Sequence, residues 1–512
     1  MPGLDPSFLD LPYRSLGDAA LSRARALGVS HADFRFERVR YQSLSVRDGV
    51  LQNASNTEDV GFAVRVIHRG SWGFASGVVL TPEEAVRVAE TAVAVAAVSA
   101  AMTSAPVELA DEPVHSEVSW ISAYDINPLD VPVRDKAALL IDWTERLRAG
   151  VAVDHARAFC EQVQENKYYA DLAGTSTSQQ RVRLMPGFEA MGAGADTFDS
   201  MASIAPPAGR GWEYLRGVAD GGVYDWDGEI EQVPDLLAEK LAAPSVEAGT
   251  YDLVIHPSNL WLTIHESIGH ATELDRALGY EANYAGTSFA TPDLLDSLEY
   301  GSPVMHITGD RTVEHGLATI GYDDEGVAAQ SWDIVRDGLF VGYQLDRPMA
   351  LMLPELNQWE GKARSNGCAY ADSPGHIPIQ RMANVSLQPA PGPDGPSTGD
   401  LISRVDDGLY VVGDKSWSID MQRFNFQFTG QRFYRIKDGQ LAGQVRDAAY
   451  QATTTDFWGS LEAVGGVETW ELGGAFNCGK AQPGQVASVS HGAPTSLFRG
   501  IRILNTLEEG TA

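Results

Sequence analysis

The sequence predicts an α+β protein in two large domains, an N-terminal mixed α/β domain over residues 1–235 and a mostly antiparallel β C-terminal domain over residues 236–512. Three observations lead there. At 512 residues and 55.2 kDa the chain is too long for one ordinary core. Residues 15–100 alternate helical spacing with paired period-2 strands, and the second half is rich in Gly and β-formers punctuated by Asp-Gly turn signals.

Taken in order, SLGDAALSRARAL (15–27) has helical spacing. After Gly28 the pattern becomes the alternation of ADFRFERVRYQSLSVRDGVLQ, with Arg47-Asp48-Gly49 as its turn. GFAVRVIHRGSWGFASGVVL repeats strand, turn and strand around Arg69-Gly70-Ser71. Thr81-Pro82-Glu83-Glu84 then opens an Ala/Val-rich helix, with a capping Thr and a first-turn Pro. Past Asn127 and Pro128, DKAALLIDWTERLRA is a further helix, and RAFCEQVQENKYYADLAG and QQRVRLMPGFEAMGA alternate as strands. ERVRYQSLSVRDG and EQVQENKYYADLAG are alike as two hairpins of one kind. Gly and Asp accumulate from Ala219 to Asp227, and VPDLLAEKLAAP reads as a short helix before a strand at YDLVIHP, which puts the domain boundary near residue 235. Beyond it, YDDEG, RDGLF, DDGLY and KDGQL mark turns between strands, while LQPAPGPDGPSTGD (387–400) has nothing to bury and reads as a mobile loop.

Charge narrows the function. With 69 acidic and 38 basic residues the net charge is -31, which repels phosphate backbones and anionic lipid and argues against nucleic acid or membrane as a partner. The small-apolar run Ala89 to Ala101 is short and interrupted by Glu90, and the first residues lack a basic segment followed by an apolar run, so a cytoplasmic address is expected. Three scattered cysteines, Cys160, Cys368 and Cys478, do not make a disulfide framework. No Gly-x-Ser-x-Gly elbow and no Gly-rich phosphate loop occurs.

The informative segment is SNLWLTIHESIGHATELDRALGY, a helical stretch entered through Pro257, Ser258 and Asn259 and carrying HExxxH at His265, Glu266 and His270. In the shorter HExxH, two imidazoles one turn apart share a face and hold zinc while the Glu serves as general base. Five steps at about 100° leave His265 and His270 roughly 140° apart on a regular helix. A π-bulge at Ile268-Gly269 would absorb the extra residue and restore a metal-binding helix. Read alone, the three residues are equally ordinary polar positions of a helix. Glu273, three positions after His270, is either an acceptor that orients that imidazole or a surface charge. His306, His315, His376 and His491 lie in unrelated contexts and read as satisfied polar residues, and Cys160 and Cys368 as small buried ones.

An ordered series of segments resembles the TldD/PmbA family of metallopeptidases, its TldD-type catalytic members in particular. The series is HESIGHATELD, AGTSF, YDDEG (322–326), DGLFVGYQLDR (337–347), RSNG (364–367), QRMANV (380–385) and CGKAQPGQ (478–485). RALGYEANYAG and the 387–400 excursion depart from the family pattern and bear on substrate preference. The resemblance implies that His265, His270 and Cys478 bind Zn2+, with Glu266 as general base. Two imidazoles and a thiolate leave zinc a fourth position, as a catalytic site requires. It implies a peptidase acting on short or unfolded peptides in a chamber enclosed by a dimer, with a PmbA/TldE-like partner subunit or a second copy of the chain. The rival readings are a non-catalytic subunit of the same family and a zinc amidohydrolase acting on small amides.

Overall fold

The first half of the chain builds its sheet from hairpins. The computed structural model describes residues 3–194, 197–218, 221–480 and 483–509; Ala219 and Asp220 of the predicted linker and Ala481 and Gln482 of CGKAQPGQ lie outside the described residues. A one-turn helix α1 (Pro6–Leu9) and α2 (Tyr13–Ala26) precede β1 (His31–Arg47). The strand pairs antiparallel with β2 (Val50–His68) through Asp48 and Gly49, both at positive φ (52° and 78°), the two-residue turn whose twist matches its strands. Arg69 and Gly70 (55° and 75°) repeat the device before β3 (Ser71–Gly77), and α3 (Pro82–Ser99) starts where Thr81 caps Glu84. Then follow β4 (Val118–Ile121), α4 (Val133–Arg148), β5 (His155–Asp171), β6 (Ser176–Ala193), β7 (Phe198–Ala202) and α5 (Trp226–Ala242). The sheet order is β3-β2-β1-β5-β6-β4 with β7 on β6, so the two like hairpins sit side by side through β1 and β5. The helix α5 is longer than VPDLLAEKLAAP predicts. Its cap is Asp225, which accepts from Gly228 N, and Pro234 lies inside it.

Alternation gives the two faces of β1 different partners. Phe34 and Phe36 join α2 and α3 in one core, and Leu44 and Val46 join α4 and α5 in another. The opposite face carries Asp33, Arg35 and Glu37, all buried, against residues of the second half. There Arg65 bonds Glu325, Lys167 bonds Asp324 and the Ala371 carbonyl, and Arg35 donates to the Ser373 carbonyl.

In the second half, β8 (Gly249–Ile255) pairs parallel with Asp407–Ile419 and antiparallel with Ser496–Asn505. The latter pairs with Ala448–Thr453, which pairs with Asn425–Lys437, which returns to Asp407–Ile419. These pairings close a ring of five strands, antiparallel at every joint but one. The helix α6 (Pro257–Ile264) leaves β8 directly and is covered by the hairpin Glu471–Lys480/Gln485–Ala493. The fold is α+β throughout, and no helix among the described residues is long and apolar enough to cross a membrane. The 387–400 excursion is anchored, contrary to the mobile loop expected. Ala390 N donates to Gly465 O, Gly466 N donates to Pro396 O, and a Ser397/Asp400 capping box opens a helix, Thr398–Ser403, that buries Leu401 and Ile402.

Candidate metal centre

The chain enters α6 at His256, whose side chain accepts from Ser258 N, with Pro257 as the first helical residue. Asn259 Nδ2 donates to the Gly413 and Thr429 carbonyls and ties the helix to the strand ring. From His265 to Gly269 the helix widens into a π turn, and His270 N donates to His265 O at 3.0 Å, five residues back. That is the irregularity the spacing predicts, and it starts at His265 rather than at Ile268. The widened turn is held from outside. Tyr300 Oη donates to the Ser267 carbonyl, Gln344 Nε2 to the Gly269 carbonyl, and Trp458 Nε1 to Ser267 Oγ. Gly269 lets Met382 pack closely, since a Cβ there would stand 2.5 Å from Met382 Sδ and oblige that side chain to move. Gln344 and Met382 belong to two of the resemblance segments, DGLFVGYQLDR and QRMANV, so both segments pack against the motif.

His265, His270 and Cys478 are buried, and one ligand atom from each lies within 4.8 Å of the others. Cys478 reaches the group from a strand, not from the Gly-rich turn that GGAFNCGK suggests. It pairs with Ala487 just after a register shift in the hairpin that re-aims the side chain. Arg381 holds that hairpin in place, donating to the Cys478 and Gln485 carbonyls at 2.6 and 3.1 Å.

Hydrogen bonding assigns the imidazole tautomers. His491 Nδ1 lies 2.8 Å from the Val385 carbonyl, which only accepts, so Nδ1 carries the proton and the neutral ring presents a bare Nε2. Burial, with His265 and His270 nearby, holds His491 well below the ordinary histidine range, which keeps it neutral. His491 Nε2 is 2.7 Å from His265 Nδ1, which must therefore donate and leave His265 Nε2 as a lone pair. His270 Nδ1 donates to Glu273 Oε2 at 2.9 Å, again freeing Nε2. For Glu273, burial pushes the carboxyl up, and Lys480 and His270 more than reverse it. Glu273 is thus the acceptor that orients the second imidazole.

Two imidazole Nε2 atoms and a thiol suit a tetrahedral metal with nitrogen and sulfur ligands. Zinc bond lengths at tetrahedral angles separate a nitrogen and a sulfur ligand by about 3.6 Å; Cys478 Sγ lies 3.6 Å from His270 Nε2. Burial raises the Cys478 thiol, but His270 and Arg381 draw it below the ordinary cysteine value, towards the thiolate that a metal needs.

Glu266 accepts from Arg423 Nη1 at 2.5 Å through Oε2, and Oε1 has no partner among the described residues. Burial raises this carboxyl, and His265, His270 and Arg423 outweigh it, so Glu266 stays ionised. Arg423 sits at the tip between Asp407–Ile419 and Asn425–Lys437 with φ 64°, a left-handed conformation held by Asp420, whose carboxylate accepts from the Gln422, Phe424 and Asn425 backbone N–H groups. Sequence reasoning missed His491 and Arg423. His491 is 226 residues from the ring it orients, and Arg423 carries no local signal beyond lying in a turn. Of the other alternative histidines, His306 bonds Asp333, His376 bonds Asp372 and His315 faces the Gly209 carbonyl.

A family model of the PmbA/TldA metallopeptidase C-terminal domain matches residues 248–505, and one of PmbA/TldA metallopeptidase domain 1 matches residues 32–96. The chain belongs to the PmbA/TldD metallopeptidase family. Among similar relatives, a metalloprotease of Methanothermobacter thermautotrophicus is 26% identical over 94% of this chain and 96% of its own length. A zinc metalloprotease TldD homologue of Saccharolobus solfataricus is 21% identical over 94% and 98%. In fold, the chain is similar to TldE from Thermococcus kodakarensis (TM-score 0.68, 16% identity, 95% of this chain and 99% of that one). It is also similar to a Thermotoga maritima protein described as a candidate modulator of a DNA gyrase (TM-score 0.74, 15% identity, 96% and 100%). Membership of that family makes the protein a metalloprotease, a hydrolase acting on peptides.

Proposed function

We propose that the chain is a zinc-dependent peptidase in which His265, His270 and Cys478 hold the metal, Glu266 is the general base, and short or unfolded peptides are the substrate. The observation that carries this reading is the convergence of two bare Nε2 atoms and a lowered thiol beside a carboxylate with one free oxygen. A zinc ion held there would supply Lewis acidity, polarising a scissile carbonyl and easing the loss of a proton from water. Glu266 Oε1 takes that proton and returns it to the leaving amine. Arg423 occupies Oε2 and so fixes which oxygen does the work. His491 and Glu273 keep the two rings from turning.

An extended peptide pairs with a strand edge through main-chain bonds and makes little demand on side chains, which fits broad sequence tolerance. The ligand residues are each 5% exposed, which suits peptides admitted to an enclosed chamber better than a folded protein docking from outside. The likeness in fold to TldE supports a TldD/TldE-type partner subunit, with a homodimer as the other arrangement. We also propose that the two sheets are two domains, divided within α5, where residue 235 lies.

Elemental analysis and digestion test the reading together. About one zinc per chain is expected, lost in His265→Ala, His270→Ala and Cys478→Ala. A destabilised, unfolded protein should be cleaved and its stably folded form spared, with and without a partner subunit. Stoichiometric zinc in all three variants would remove the ligand set, and equal cleavage of both forms would remove the chamber.

A further inference from the structure

Next to the metal centre lies a cleft, about 640 Å³ in volume, lined by none of the three ligands nor by Glu266. It shares a wall with the site. Lys480, which bonds Glu273 Oε1 and Asp275 Oδ1, lines it, and Glu273 in turn holds His270, so the Lys480 and Glu273 side chains link cleft to ligand. Its lining is acidic, with five carboxylates against two cations, Arg65 and Lys480. Both cations are already engaged, Lys480 as above and Arg65 by Asp33 and Glu325.

Asp346 is the group that points to a ligand. It is 9% exposed and lines the cleft. Its Oδ1 accepts from Met349 N at 2.9 Å, while Oδ2 has no hydrogen-bond partner, and no cation pairs with the carboxylate among the described residues. Burial, with Glu325 close by, holds Asp346 well above the ordinary carboxylate range, and a cation brought beside Oδ2 would favour its ionised form. Glu108 stands exposed at the rim, also without an ion pair among the described residues. Trp72, Met349 and Ile377 add apolar surface to the same lining. Carboxylates and apolar side chains in one lining together fit a cationic group on an aliphatic stem, whose methylenes lie along apolar surface while the charge seeks its partner.

We infer that this cleft is a specificity subsite that receives a positively charged group of the bound peptide, a lysine or arginine side chain or a free amino terminus, on Asp346. The inference rests on the peptidase reading. It goes beyond that reading in naming one point of an otherwise tolerant peptide site at which a positive charge raises affinity.

Binding is measured on the Glu266→Gln protein, which consumes the probe about 10²–10⁴-fold more slowly, by fluorescence anisotropy of labelled decapeptides. One amino-terminally acetylated series carries a single lysine at successive positions, with norleucine as the neutral control of the same stem. A second series has no lysine and either a free or an acetylated amino terminus. A charge-assisted hydrogen bond is worth about tenfold or more in affinity for the cationic member of one series, which also tells side chain from terminus. Asp346→Asn in the same background keeps the acceptor for Met349 N and should shrink that ratio towards one. Glu108→Gln at the exposed rim, which cannot disturb packing, should lower it by a smaller, salt-sensitive amount. Equal affinities within both series, or a ratio that survives Asp346→Asn, overturns the inference. A preference that persists in a protein whose zinc-loaded wild type cleaves no peptide supports the subsite and sinks the peptidase reading instead.

Discussion

Glu165 in the first sheet and Glu266 beside the metal centre are both buried carboxylates facing arginine, and they differ in what is left over. Glu165 Oε1 accepts from Arg181 Nη2 at 2.8 Å, and Oε2 from Arg183 Nη2 at 2.9 Å and Tyr370 Oη at 3.0 Å. Both of its oxygens are used. Glu266 has one oxygen used and one free, and it adjoins His265, whose ring, like that of His270, has Nδ1 bonded and Nε2 bare near the Cys478 thiol. A buried carboxylate with both oxygens bonded, one of them to Tyr370, holds two halves of the chain together. One with an oxygen left over, next to imidazoles whose Nε2 atoms are bare, is arranged for something that arrives there.

The largest expected effect breaks the comparison at its unsaturated end. Glu266→Gln should lower peptide hydrolysis by about 10²–10⁴-fold while zinc stays at wild-type stoichiometry, because the base is removed and the ligands are not. Steady-state kinetics on metal-replete protein measures it. Near-normal turnover would mean another group takes the proton.

At the saturated end, Glu165→Gln removes a charge and leaves Arg181 and Arg183 without their counter-ion, at a cost of about 3–5 kcal/mol in stability. The pH dependence has a definite sign. Burial pushes the Glu165 carboxyl up, yet Arg181, Lys167 and Arg183 together bring it well below the ordinary range. Its stabilisation is therefore present above about pH 4.5, where the unfolded carboxyl is ionised, and is lost as pH falls towards the folded value. Melting temperatures of wild type and variant should thus converge as pH drops below about 4.5. A gap that widens in acid would show that the network is not what Glu165 contributes.

A smaller effect joins the two regions. Glu273→Gln leaves all three ligands in place but weakens the acceptor that orients His270, which costs about 10–100-fold in metal affinity. Competition with a chelator of known affinity reads it. Unchanged affinity would place Glu273 with the structural charges, since it also bonds Lys480 and Arg276.

Legibility in the sequence follows the same division. HExxxH was readable because helix arithmetic turns a spacing into a geometric demand, and the π turn at His265–Gly269 answers it. Glu273 was half readable, because three residues is a helical neighbour and nothing local says whether that neighbour is wet. Cys478 was readable only by resemblance, since its aim depends on a register shift in a hairpin 208 residues away from His270. The hairpins of the first sheet were plain from alternation and turn residues. That the charged face of β1 is buried was not, because it depends on Asp324, Glu325 and Ser373, whose place against the sheet no local pattern encodes.

The smallest effect sharpens the comparison by holding distance fixed. Arg14 Nη1 lies 2.9 Å from Glu117 Oε1, the same separation as Arg183 from Glu165, but these side chains are 51% and 68% exposed where those of Arg183 and Glu165 are 4% and 6%. Water screens the exposed pair and gives each partner a substitute when the other is removed, so Glu117→Gln should cost less than about 1 kcal/mol. Glutamine is the right replacement, because Glu117 takes φ 59° and its neighbour Arg14 also lies over the Tyr13 and Tyr168 rings, a contact the change leaves intact. Salt separates the two pairs further. At about 1 M ionic strength the screening length is about 3 Å, which removes the remaining attraction at the surface and barely touches charges that solvent does not reach. Denaturant titrations of Glu117→Gln and Glu165→Gln at low and high salt give four numbers. A surface loss that vanishes in salt beside a buried loss that persists assigns the difference to burial. Equal losses, or equal salt sensitivity, would mean that the arginine and carboxylate alone set the energy and that saturation under the sheet adds nothing.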